Sequence, residues 1–78
     1  MPMSEEISAE DLRTRRQAAG LDLVVLARRL SLSPAQLMQL ESGQDSLFYS
    51  PAIRRHAALK VYRYLIGQPR SPAAERRT

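Results

Sequence analysis

The segment spanning residues 20–43 most constrains the fold, because it contains two short helices with almost no chain between them. Asp22 is a favourable N-cap for the first of these helices, and Ser33 followed by proline is a helix-start signal for the second. Gly43 provides the residue that ends the second helix. Only residues 31–32 remain for the turn, too few for the helices to lie antiparallel. The segment therefore predicts a helix-turn-helix.

Two further helices are predicted on either side of this segment. Ser8 is an N-cap for a first helix that runs to Ala19. Ser50 repeats the cap-and-proline signal and opens a long helix over residues 51–66, which Gly67 ends. With these elements the sequence predicts an all-α fold, a compact bundle of four to five short helices.

The long helix is expected to close the hydrophobic core. Its apolar residues recur at every fourth position and form one stripe: Ile53, Ala57, Val61 and Leu65. This spacing places the four side chains on one helical face. The loop before the helix contains Phe48 and Tyr49, and both aromatic rings are expected to pack beneath the core.

The predicted domain covers residues 7–67. Residues 1–6 are interpreted as a flexible leader. Residues 68–78 are polar and interrupted by proline, which is typical of a disordered tail. The longest apolar run is too short to cross a bilayer, and no signal peptide is apparent. The sequence contains no cysteine, which fits a reducing compartment. A cytoplasmic protein is therefore expected.

The net charge of +4 is unevenly distributed. Residues 1–50 contain five arginines and seven acidic residues, whereas residues 51–78 contain six arginines and one lysine against one glutamate. The second part of the chain is therefore strongly basic. A basic surface can follow phosphate groups or any acidic partner, although a solvated surface is the alternative interpretation.

The residues that catalysis requires are largely missing. The sequence has no cysteine, one histidine and no glycine-rich phosphate loop. We therefore expect neither an enzyme nor a cofactor, metal or small-molecule site. The function is expected to be binding.

Residue by residue, the central segment resembles the Cro/C1-type (XRE-like) helix-turn-helix family, whose fold is lambda repressor-like. The positions that match the family pattern are Gly20, Leu21, Leu26, Ala27, Leu32, Ser33, Leu37, Leu40, Glu41 and Gly43. The resemblance extends back to Leu12 and Arg16. It implies an ion pair between Arg16 and Glu41 that ties the first helix to the third. It also implies a DNA-binding transcriptional regulator, acting as a homodimer, with helix 34–42 in the major groove.

The resemblance also implies which side chains contact DNA. Base edges are read mainly from the positions of Pro34, Ala35 and Gln39, and Gln39 is the best reader because glutamine can bond bidentately to adenine. The residues expected near phosphates are Ser33, Gln36 and Ser42. The third helix contains neither Arg nor Lys. The basic side chains available for the DNA backbone are therefore Arg28, Arg29, Arg54 and Arg55.

The second helix contains more apolar residues than its buried face requires. Leu23, Val24 and Val25 are either covered by the long last helix or form a contact surface for another chain. The loop and long last helix also resemble the RodZ-type helix-turn-helix module, which implies a protein adaptor. The alternative function is therefore protein interaction, as a RodZ-like adaptor or as an antitoxin.

Overall fold

Each helix begins directly after a side chain whose oxygen accepts hydrogen bonds from the first free backbone N–H groups. These N-caps are Ser8, Asp22, Ser33 and Ser50. In the computed structural model, which describes residues 7–68, they open four helices: α1 (Ala9–Ala18), α2 (Leu23–Arg29), α3 (Pro34–Ser42) and α4 (Pro51–Ile66). No strand is present in this part of the chain. The all-α prediction is therefore confirmed.

The predicted leader, residues 1–6, lies outside the described residues. So does the predicted tail, except for Gln68, whose N–H donates to the Leu65 carbonyl at 3.1 Å. No helix in the described part combines the length and the apolar character that spanning a bilayer requires.

Left-handed backbone conformations end the short helices. Gly43 closes α3 with φ +85°, and Gly20 follows the end of α1 with φ +71°. The turn between α2 and α3 uses Ser31 at φ +61°. This conformation is strained for a residue with a Cβ atom. Gly67 ends α4 in the right-handed region, at φ −91°, so a left-handed glycine is not needed there.

The core lies between the four helices, where α3 packs against both α1 and α2, and α4 packs against α1. Nine apolar side chains are buried in it: Leu12, Leu26, Ala27, Leu37, Leu40, Ala57, Ala58, Val61 and Leu65. Burying a leucine or valine side chain contributes about 1.5–3 kcal/mol, so this cluster supplies the main stabilisation.

The prediction that Ile53 and Tyr49 lie in the core is wrong. Ile53 is exposed because it lies in the first turn of α4, outside the buried stretch that begins at Ala57. Tyr49 is 94% exposed, whereas its neighbour Phe48 packs against the core. The chain turns at Phe48, whose N–H donates to the Asp45 carbonyl at 3.1 Å. Sequence periodicity therefore does not predict which of the two aromatic rings faces the core.

Arg15 connects α1 to α4 at the surface. Its guanidinium carbon lies 5.3 Å from the centroid of the Tyr62 ring, a cation–π geometry. Its Nε donates to Asp11 Oδ2 at 3.0 Å. This hydrogen bond, together with the nearby carboxylate charge, raises the pKa of Arg15. The guanidinium therefore remains charged.

Candidate nucleic-acid interface

Helix α3 presents one face to the core and one to solvent. Its buried residues are Leu37, Leu40 and Glu41. Its exposed residues are Pro34, Ala35, Met38 and Ser42. At 3.6 residues per turn these four positions fall within an arc of about 100°. We call these four residues the outward arc of α3.

A buried ion pair fixes α3 to α1. Arg16 Nε donates to Glu41 Oε2 at 2.7 Å, and Arg16 Nη2 donates to Glu41 Oε1 at 3.0 Å. A third bond runs from Arg16 Nη1 to the Leu21 carbonyl at 3.0 Å. The two side chains are only 13% and 4% exposed. This bidentate arrangement holds both helices in one relative position.

Ser33 and Gln36 hydrogen-bond to each other at the start of α3. Gln36 N–H donates to Ser33 Oγ at 3.0 Å, and Ser33 N–H donates to Gln36 Oε1 at 3.0 Å. This reciprocal pair is a capping box. Both residues were predicted near phosphates, and in the structure their side chains stabilise the helix start.

The Gln39 side chain is directed at the loop that follows α3. Its Nε2 donates to Ser46 Oγ at 2.8 Å, and its Oε1 accepts from the Leu47 N–H at 2.9 Å. Both ends of the carboxamide are therefore used within the chain. The bidentate contact to adenine expected for Gln39 would compete with these two bonds. We call this arrangement the Gln39 clamp.

Arg54, which lies on α4, makes hydrogen bonds to the end of α3 and to the loop that follows it. Its Nε donates to the Gln44 carbonyl at 3.0 Å and its Nη2 to the Gln39 carbonyl at 3.3 Å. Its guanidinium carbon also lies 6.0 Å from the centroid of the Phe48 ring. Arg54 was expected at the DNA backbone, but these contacts make it an anchor for the end of α3 and the loop.

The remaining basic residues near α3 are exposed. Arg28 and Arg29 end α2, directly before the turn into α3. Arg55 is next to Arg54, whose guanidinium reaches the end of α3. Exposed arginines therefore precede α3 at the end of α2 and follow Arg54 on α4.

We expect Gln39→Ala to lower the free energy of unfolding by about 1–2 kcal/mol, since two hydrogen bonds are lost. Hydrogen exchange at the Leu47 amide should accelerate. Urea unfolding and exchange monitored by NMR measure both effects. Ser42→Ala is the control on the same helix, because its hydroxyl makes only a long 3.5 Å bond to the Gln39 carbonyl. An unchanged Leu47 exchange rate in Gln39→Ala would contradict the clamp.

The three apolar residues at the start of α2 are not equivalent. Leu23 packs partly against the core. Val24 is 40% and Val25 49% exposed in the part of the chain described. The last helix therefore does not cover the two valines, contrary to the first of the two interpretations.

The contact of Lys60 was not expected from the sequence. Lys60 Nζ donates to the Leu30 carbonyl at 3.0 Å and so joins α4 to the end of α2. Met38 is 56% exposed in the middle of the outward arc. This exposure agrees with its position four residues after Pro34, since such residues share a helical face. Within residues 7–68, no group of three or more His, Cys, Asp or Glu side chains could hold a metal ion.

Comparison with known families agrees with this geometry. A family profile described as a helix-turn-helix domain matches residues 9–64, which include all four helices except the last two residues of α4. No curated protein and no solved structure gives a significant match. The chain belongs to this helix-turn-helix domain family, which is of the Cro/C1, or XRE-like, kind. At a coarse level this membership indicates a DNA-binding protein of a typically non-enzymatic class.

Proposed function

We propose that this protein is a DNA-binding transcriptional regulator that inserts α3 into the major groove. The observation that carries the proposal is the division of α3 into an anchored side and an outward arc. Three sets of contacts hold α3 in place without involving the outward arc: the Arg16–Glu41 pair, the Gln39 clamp and the hydrogen bonds from Arg54. Because the outward arc has no packing role within residues 7–68, it is available to a ligand.

The distribution of charge supports a phosphate backbone as part of that ligand. Residues 7–68 contain nine basic and five acidic side chains, a net charge of +4. Arg28 and Arg29 are exposed at the end of α2, directly before the turn into α3, and Arg55 is exposed near the start of α4. With α3 in the groove, these arginines would contact phosphates on either side of it. The hydroxyls of Ser33 and Ser42 are further candidates for phosphate contacts.

We also propose that the protein acts as a homodimer in the cytoplasm. One domain of this size presents a single helix to the groove and would cover one half-site. Two copies would bind inverted half-sites about one helical turn apart and so double the number of contacts.

Selection from a pool of random duplexes at near-physiological salt, followed by sequencing, tests this function. Salt must be present because non-specific phosphate binding in dilute buffer can imitate recognition. We expect an enriched motif made of two inverted half-sites. A retained pool with no enriched motif would overturn the proposal.

Protein interaction is the second candidate, as an adaptor or an antitoxin. It is favoured by Val24 and Val25, two adjacent apolar side chains exposed on α2. An apolar patch with no role in the domain can serve as a contact surface. Under this alternative, random duplexes give no motif, and Val24→Ser/Val25→Ser abolishes binding to the partner without affecting the fold.

A further inference from the structure

Each polar side chain of α3 makes at least one hydrogen bond within the chain. Gln36 is part of the capping box, Gln39 holds the loop, and Glu41 is buried against Arg16. The helix contains no arginine or lysine. Of the groups that usually read base edges, only the Ser42 hydroxyl remains on the outward arc, and it faces the Gln39 carbonyl at 3.5 Å.

The outward arc presents mainly apolar groups to solvent. Pro34 contributes a ring, Ala35 a methyl group and Met38 an unbranched thioether chain. Taken at 100° per residue, Met38 lies between Pro34 and Ala35 on the arc. It is also the most exposed large apolar side chain of α3. A flexible thioether can adapt to small differences in the shape of an apolar partner.

The major groove offers one apolar group, the C5-methyl of thymine. We propose that α3 recognises its DNA chiefly through thymine methyl groups, with Met38 as the main contact and Ala35 beside it. The preferred ligand is then a duplex with A·T pairs at the positions facing α3. This inference rests on the proposed function, and it replaces glutamine–adenine hydrogen bonding as the source of specificity.

Deoxyuridine provides a direct test, because it differs from thymidine only by the missing C5-methyl group. In the duplex obtained by selection, each thymine is replaced in turn by uracil, and binding by the full chain is measured. Burial of one methyl group contributes a factor of about four in affinity. We therefore expect about a fourfold loss at one or two thymines in each half-site and none at the others.

Met38→Ala should remove the sensitivity to uracil at one of those positions while binding continues. Ile66→Ala is the matched control, because Ile66 is 53% exposed on α4 and Met38 is 56% exposed. This control should keep the full uracil effect. Thermal unfolding checks that both variants fold.

The outcomes separate the two proposals. An enriched motif whose binding is indifferent to uracil, or one without A·T pairs, would overturn methyl recognition and leave the regulator function intact. Loss of uracil sensitivity in Ile66→Ala but not in Met38→Ala would also overturn it. If no motif is enriched, the regulator function itself is wrong, and this inference falls with it.

Discussion

Glu41→Ala is expected to lower the free energy of unfolding by about 3–5 kcal/mol, because it leaves the Arg16 guanidinium buried without its partner. The carboxylate is 4% exposed and accepts two hydrogen bonds from Arg16. A domain of this length has a total stability of about 4–12 kcal/mol. The single change should therefore remove a large part of the stability, and urea unfolding measures it.

Two further variants show whether the loss comes from a stranded charge. Arg16→Met/Glu41→Leu removes both charges and should be much more stable than Glu41→Ala, since neither ion is left unpaired. Asp11→Ala breaks the exposed pair with Arg15 and should cost far less, because surface pairs contribute little. Equal losses in Glu41→Ala and Asp11→Ala would show that the Arg16–Glu41 pair is not buried in solution.

Arg28→Ala/Arg55→Ala is expected to weaken DNA binding to all sequences by about tenfold or more. Each arginine that contacts a phosphate contributes about 0.9 to the slope of log affinity against log salt concentration. The double variant should therefore flatten this slope by about 2. Fluorescence anisotropy with a labelled duplex at several salt concentrations measures both effects.

The control is a second double variant with the same net charge as Arg28→Ala/Arg55→Ala. Arg13→Ala/Arg63→Ala removes two exposed arginines on α1 and α4 that the proposed interface does not use. It should leave the salt slope nearly unchanged. If both double variants flatten the slope equally, the arginines act through overall charge, and the proposed position of DNA at the ends of α3 is wrong.

The helices could be predicted from the sequence because their signals are local. Asp22, Ser33 and Ser50 cap helices with side chains placed next to the backbone they bind. The contact between Arg16 and Glu41 spans 25 residues. Local rules do not predict such a contact, and here it was implied by resemblance to a family in which both positions recur.

The sequence does not predict the contacts of a side chain that has two possible environments. Gln39 faces outward by helical position alone, but the loop after Gly43 returns to place Ser46 and Leu47 beside its carboxamide. Arg54 likewise finds backbone carbonyls at the end of α3. The path of this loop is tertiary information that periodicity does not contain. For the same reason, the contacts that draw Gln36 and Gln39 away from the outward arc emerged only from the structure.

The most direct test of the central claim, that the outward arc of α3 contacts DNA, is NMR of the labelled chain titrated with a selected duplex. The largest changes in backbone amide shifts should occur at Ala35, Met38 and Ser42, with smaller changes at Arg28 and Arg55. Changes confined to Val24 and Val25, or no changes at saturating duplex, would contradict the account and direct attention to a protein partner.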